Sequence, residues 1–264
     1  MPLMEIFASL ASGVLVGLSL GVIGGGGSVL AVPLMVYVIA LPSPHLAIGT
    51  SAVAVAASAF LNLLGHARDH NVKWPCASVF ALAGVIGAAL GAEFGKTVDG
   101  TKLLAAFGVL MILIAALMLR PRRGGQNTDI RLDQNSARHL LPRLAGTGFG
   151  VGALSGFFGI GGGFLIVPGL VSATAMPLLN AVGSSLVAVT AFGATTAVSY
   201  AISGLVDWPV AGLFILGGAV GGFAGIKLAG RLAAQKRALS LVFSGIVAVV
   251  GVYVVTRGVL ALLH

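Results

Sequence analysis

Charge is what this sequence has least of. Only 8% of its 264 residues are Asp, Glu, Lys or Arg, whereas 58% are hydrophobic and the mean hydropathy is +1.07. A soluble domain carries roughly 25% charged residues, so composition alone excludes that class and points to a membrane protein. Apolar runs such as Leu103–Leu119, Val210–Ile226 and Leu239–Val255 approach the length of about 20 residues that a helix needs to cross a bilayer. Cysteine is nearly missing too. Cys76 stands alone, which excludes a CxxC relay, a zinc cluster and an internal disulfide; it is expected to pack as a small apolar residue. A basic n-region is lacking at the N-terminus, so "MPLMEIFASLASGVLVGLSLG" is expected to be a retained first membrane segment rather than a signal peptide.

The sparse charges are also one-sided, with 15 Lys and Arg against 7 Asp and Glu. In a soluble domain such an excess would suggest nucleic acid. Here the basic residues cluster in loops, as the positive-inside rule requires, and no nucleic-acid partner is expected. Asp, Glu, Lys and Arg are absent from the depths of every predicted span, Glu93 and Lys227 lying near helix ends. The spans therefore offer no carboxylate proton relay and no cation site of the usual charged kind, which leaves backbone carbonyls as the groups that could coordinate an ion.

Glycine, by contrast, is abundant. "GVIGGGGSVLAVP" (Gly21–Pro33) returns as "GFFGIGGGFLIVP" (Gly156–Pro168). Gly17, Gly21, Gly24, Gly26, Gly27, Val32 and Pro33 match Gly152, Gly156, Gly159, Gly161, Gly162, Val167 and Pro168. The match resumes with Gly49, Ser51, Val53, Ala54 and Val55 on Gly183, Ser185, Val187, Ala188 and Val189, then with "VKWP" on "VDWP", then with Gly84, Gly87 and Gly91 on Gly218, Gly221 and Gly225. The chain is two copies of one unit. Repeat one covers 1–119, a basic linker 120–142, and repeat two 143–264.

Each copy reads as five apolar segments: about 5–23, 28–41, 46–66, 75–95 and 102–119, then 143–158, 163–175, 178–203, 209–228 and 238–260. The second of each set is too short for an ordinary span and is expected to be re-entrant or half of a broken helix. Five is odd, so the second copy should be inverted. Loop charge agrees: 66–74 carries Arg68 and Lys73 while its partner 203–208 has only Asp207, and 227–237 carries Lys227, Arg231, Lys236 and Arg237. Lys96 and Lys102 are a mild exception, offset by Glu93 and Asp99. The expected architecture is an all-α polytopic membrane protein of two inverted-topology repeats, each a glycine-broken short-helix pair plus three longer transmembrane helices. The linker would be cytoplasmic and both termini external, in the cytoplasmic (inner) membrane. Inverted repeats belong mostly to transporters and channels, with the site at the repeat interface near midplane.

Irregular backbone at that depth is tolerated only where protein buries it or a cavity needs it. The runs Gly24, Gly25, Gly26, Gly27 with Ser28, and Gly159, Gly161, Gly162 with Gly163, would form two such breaks. Short helices starting near Ser28 and Phe164 would aim free N–H groups into them, a natural seat for an anion. Packing alone is the competing account, preferred for the GxxxG pairs Gly87/Gly91, Gly218/Gly222 and Gly221/Gly225. Those faces could close inside the chain or form a homodimer. A nucleotide P-loop is excluded, because no Lys-Ser/Thr follows either run. Thr50/Ser51 and Ser184/Ser185, at equivalent helix starts, would either cap their helices or donate to an oxyanion. Asn62 and His66, with Thr196 and Tyr200 at the matching places, are interfacial polar residues or the lining of a pathway. Pro33 and Pro168 shape the short helices, and Trp74 and Trp208 are interface anchors.

The duplicated motifs "GVIGGGGSVLAVP" and "GFFGIGGGFLIVP", the helix starts "GTSAVAV" and "GSSLVAV", and the basic central linker resemble the TauE/SafE family of sulfite and organosulfonate exporters. The resemblance covers nearly the whole chain. It implies transport of a small sulfur-containing anion, such as sulfite, thiosulfate or sulfoacetate, with no cofactor and no metal. Gly25 faces Ile160 in the alignment and Ser28 faces Gly163, so the two halves need not contact a substrate equally. An anion channel and a partner protein within a larger membrane assembly are the alternatives. An intramembrane enzyme is excluded, since the buried hydroxyls have no base.

Overall fold

A computed structural model describes residues 3–119, 134–159, 163–231 and 236–263. Among the described residues it is all helical: α1 (Leu3–Ile23), a 3₁₀ helix (Gly24–Leu30), the single turn α2 (Ala31–Pro33), a π turn (Leu34–Val38), α3 (Pro44–Arg68), α4 (Trp74–Thr97), α5 (Gly100–Leu119), α6 (Gln134–Phe158), α7 (Gly163–Thr174), α8 (Leu178–Ile202), α9 (Trp208–Arg231) and α10 (Lys236–Leu263). Seven stretches are long and apolar enough to cross a membrane, the first running from Leu3 to Val38. Outward-facing Leu82, Ile86, Leu90 and Phe94 on α4, at one-turn spacing, are half or more exposed. A lipid-facing helix presents such a stripe.

The apolar segments expected from hydropathy fall on these elements. Two differ in detail. The segment after the first glycine run is no separate short helix: the 3₁₀ helix begins at Gly24, so the glycines are themselves helical. α6 starts at Gln134, well before the expected 143, and accommodates Pro142.

The two halves share a backbone pattern down to its unusual residues. All left-handed residues among those described fall in matched pairs: Gly24 (φ +73°) with Gly159 (+67°), Ala40 (+60°) with Ala175 (+57°), and His70 (+55°) with Gly204 (+70°). Helix contacts also pair. The two most extensive interfaces are α1 with α9 and α4 with α6. The first helix of each half therefore packs on the fourth helix of the other half. α3 meets α8 and α5 meets α10, each with its own counterpart. α3 and α8 are central, with 72% of the apolar window of α3 buried against 33% for α10.

Glycine makes the exchanged interfaces. A Cβ at Gly13, Gly17 or Gly21 on α1 would land on the carbonyl oxygens of Phe214, Gly218 and Gly222, and one at Gly221 or Gly225 on those of Val14 and Leu18. In the other half Gly148, Gly152 and Gly156 meet Phe80, Gly84 and Ala88, while Gly87 and Gly91 meet Phe149 and Ala153. The GxxxG faces thus close within the chain, not on a second copy. Cys76 is buried in the core, as expected. Trp74 and Trp208 open α4 and α9 with their side chains half exposed or more.

Two outcomes test this packing. Gly17→Leu should leave no folded protein in a size-exclusion profile, whereas Gly212→Ala, exposed and with no atom within 4 Å of the added carbon, should retain full stability. His70 holds a left-handed conformation that costs a non-glycine residue about 1 kcal/mol. His70→Gly should therefore raise the thermal midpoint in detergent and Gly204→His should lower it.

Candidate functional site

α1 ends where Gly24 turns left-handed, and α6 ends at Gly159 in the same way. The 3₁₀ helix that follows Gly24 packs against α7, the element after Gly159, and against α8. The elements that follow the two turns are thus packed on each other. Gly24, Gly25, Gly26, Gly27 and Ser28 are all buried. Gly161 and Gly162 lie outside the described residues; Gly163 opens α7.

Each turn is covered by the other half. The Gly25 N–H donates to Ser185 Oγ at 3.2 Å. A Cβ on Gly24 would stand 2.7 Å from Val182 Cγ1 and 3.2 Å from Ser185 Oγ. At the matching place, Ser51 Oγ reaches the Gly159 carbonyl at 3.5 Å, and a Cβ on Gly159 would collide with Ile48. Gly27 lies against the last turn of α1, its missing Cβ 2.5 Å from the Leu20 nitrogen. Gly26 has more room than Gly24 or Gly27, with only its neighbour Ile23 at 3.0 Å and Phe243 at 4.0 Å.

The paired hydroxyls divide their work, and not as helix caps. α3 starts at Pro44, capped by Ser43 Oγ accepting from the Leu46 N–H at 3.1 Å. α8 starts at Leu178. Thr50/Ser51 and Ser184/Ser185 therefore lie inside their helices, more than one turn past the starts at Pro44 and Leu178. Thr50 Oγ1 accepts from the Asp207 N–H and Ser184 Oγ from the Lys73 N–H, both at 2.9 Å. These fasten the loops entering α9 and α4. Ser51 and Ser185 face the glycine turns. Ser28 is no free donor, since its Oγ donates to the Gly25 carbonyl at 2.9 Å.

Asn62, His66, Thr196 and Tyr200 are not interfacial. Their relative exposures are 1%, 3%, 0% and 0%. Hydropathy placed them near helix ends, but α3 and α8 are the central pair, so the face that carries these residues is enclosed even in the last turns. Each keeps a buried polar atom without a partner: Asn62 Oδ1, His66 Nδ1, Thr196 Oγ1 and the Tyr200 hydroxyl. Ser58, one turn before Asn62, does as well. Its spacing to Asn62 and His66 was visible in the sequence and marks a three-residue stripe that motif reading overlooked. The counterparts of this stripe in α8 are Phe192, Thr196 and Tyr200. The stripe faces α9: a Cβ on Gly222 would touch Asn62, and one on Gly218 would touch Ser58. In the other half Gly84 makes room for Phe192, whose ring stacks on Phe80 with centroids 6.2 Å apart.

The family model "Sulfite exporter TauE/SafE" matches residues 9–254. This chain belongs to the TauE/SafE family. Its relatives include a "Probable membrane transporter protein" of Xylella fastidiosa (strain 9a5c), 47% identical over 97% of each chain. Another, "Probable membrane transporter protein YunE" of Bacillus subtilis (strain 168), is 27% identical over 94% of this chain and 96% of its own length. No solved structure matches. Like other TauE/SafE proteins, this is a multi-pass membrane transporter and not an enzyme.

The cross-half hydroxyls separate by geometry. Both hydroxyls also donate within their own helices, Ser51 to the Ile48 carbonyl at 2.9 Å and Ser185 to the Val182 carbonyl at 2.7 Å. Beyond that shared loss, Ser185→Ala strands a buried N–H, which costs about 1–3 kcal/mol, whereas Ser51→Ala removes a long contact to a carbonyl. Thermal unfolding in detergent should show the larger loss for Ser185→Ala, although the two residues are equivalent in sequence.

Proposed function

We propose that this TauE/SafE protein is a secondary transporter that moves a small sulfur-containing anion, such as sulfite, sulfoacetate or a related organosulfonate, across the cytoplasmic membrane, in the direction of export. The observation that carries the reading is that each glycine turn is faced by a hydroxyl of the opposite half, while the elements that follow the two turns pack on each other. A 3₁₀ or α-helix leaves its first N–H groups without partners inside the helix. Donors without formal charge suit an anion that must be released again, and glycine lets it approach the backbone. The anion would lie among Gly24–Gly27, Gly159, Gly161, Gly162, Gly163, Ser51 and Ser185. Thr50, Ser184 and Ser28 would hold the frame around it. Asn62, His66, Thr196 and Tyr200 would line the approaches.

The exchange of contacts between halves supports an inverted repeat divided at 1–119 and 143–264. Loop charge supports a cytoplasmic linker at 120–142 and external termini. Rocking of one half against the other would then expose the site to each side in turn. A channel would show flux that never saturates; a partner protein would show none when pure.

Purified protein in liposomes, tested with sulfite, thiosulfate, sulfoacetate, sulfate and acetate, should give saturable flux of one sulfur anion. Gly26→Leu should fold, because the nearest atom an added Cβ would meet is a movable side-chain methyl of Ile23 at 3.0 Å, yet lose at least nine-tenths of that flux, roughly a tenfold effect. Flux at the wild-type rate in Gly26→Leu would sink the site assignment, and saturation by acetate alone would sink the substrate class.

A further inference from the structure

We propose that His66 is a proton-binding site coupled to the glycine break of repeat one. The transport arm of this proposal rests on the function proposed above; the protonation arm does not.

α1 ends at Ile23, so its last carbonyls have no partners within the helix. One of them, Gly21 O, lies 3.4 Å from His66 Nε2. A carbonyl can only accept, so this contact assigns the ring hydrogen to Nε2. Nδ1 is then the basic nitrogen, and it is buried with no partner. One turn earlier the Asn62 amide donates to the Ser58 carbonyl at 2.8 Å, which leaves Asn62 Oδ1 as an unpartnered acceptor. Ser58 Oγ, a further turn back, is unpartnered as well. Three orphan polar atoms thus follow one face of α3 over about 12 Å. Buried polar groups are ordinarily satisfied by protein or by ordered water, so this face is built for water or for a proton.

Asn62, one turn before His66, also lines a groove of about 400 Å³ between α3 and α9, with Leu61, Gly65, Arg68, Gly222 and Phe223. A hydronium ion reaching His66 past Asn62 would give its proton to Nδ1 and leave as water, and the imidazolium would return it to water in reverse. His66 occupies the last turn of α3 and contacts the last turn of α1. Two helix C-termini therefore offset part of the cost of burying a positive charge at this point.

The charges around it are few. Arg68 and Asp69, both exposed, come from α3 and the turn after it, and His70 follows. α9 brings Lys227, whose ammonium lies 4.4 Å from the centre of the Phe223 ring. Glu5, at the opposite end, is the one charged residue of α1. Of these described groups only Asp69 carries an opposing charge near His66, and it stands exposed beyond the end of α3. An anion at the Gly24–Gly27 turn, beginning three residues after Gly21, would neutralise a proton on His66 from within the membrane. Proton and anion then favour each other's binding, and linkage makes the effect reciprocal. Tyr200 stands at the matching place in repeat two, so the chain holds one such site, not two.

The test uses the full-length protein in nanodiscs and liposomes, with thiosulfate and sulfoacetate as probes because neither titrates near neutral pH. Hydrogen exchange at the His66 ring carbon, followed by mass spectrometry from pH 5 to pH 9 (about the range in which an imidazole changes charge), should show a protonation step. Adding either anion should raise its proton affinity by about fivefold or more, the lower end of ordinary coupling between sites. A pH gradient should accelerate anion flux, and His66→Gln should abolish that response while His70→Gln retains it. A ring that never titrates overturns the proposal. So does anion exchange that proceeds with no response to a pH gradient, an outcome that leaves the transporter reading intact. Absence of any anion exchange would instead sink the transporter reading, and the titration in protein alone would still decide whether His66 takes a proton.

Discussion

Close approach of backbone to backbone is the constraint on which this structure depends. Lipid offers no hydrophobic drive to hold helices together, so contact itself must supply the attraction. The glycines of α1 and α9, and of α6 and α4, bring one helix's carbonyl oxygens to the place where the other's Cβ would stand. The interface is therefore a property of main chain, and side chains are freed for other duties. Small residues spaced at one turn on both partners also fix the register, since a slip would set a Cβ against a carbonyl.

That constraint positions the rest. With α1 held by α9 and α6 by α4, the ends of α1 and α6 are delivered to the centre from the two halves. The left-handed Gly24 and Gly159 then turn the chain into the 3₁₀ helix and toward α7. Ser51 and Ser185 meet these turns because α3 and α8 are themselves central. The polar stripe of Ser58, Asn62 and His66 fits only where Gly218 and Gly222 leave space for it; the corresponding space in the other half is filled by Phe192 and its neighbours. Symmetry thus governs the frame, and asymmetry lies in the segment after each glycine turn (3₁₀, α and π turns in one half, α7 in the other) and in a few side chains along one face of each central helix.

Much of this was legible in the sequence. Hydropathy located the apolar segments, and glycines, prolines and tryptophans in order revealed the duplication. Legibility ended where a residue's partner is far away in the chain. Thr50 and Ser51 look alike as neighbours, yet one fastens the loop before α9 and the other faces the Gly159 turn. Their difference exists only after α3 and α8 have packed. Asn62 and His66 read as interfacial because hydropathy reports depth along a helix, not enclosure by other helices. The glycine run read as a gap between helices because glycine disfavours an α-helix; it instead forms a tight 3₁₀ helix, stabilised by tertiary contact and by Ser185.

The exchange of first helices bears on how the protein is made. A chain enters the membrane from its N-terminus, and α1 arrives long before α9 has been synthesised. Its glycine face must wait, uncovered in lipid, through the insertion of most of the molecule, whereas α6 finds α4 already in place. The second half can dock early, and the first is completed only by the last third of the chain. Assembly is therefore ordered, with a late step that closes α1 onto α9 and finishes the Gly24 turn. A truncated product would lack the surface that makes its own first helix fit, a built-in means of telling finished molecules from unfinished ones.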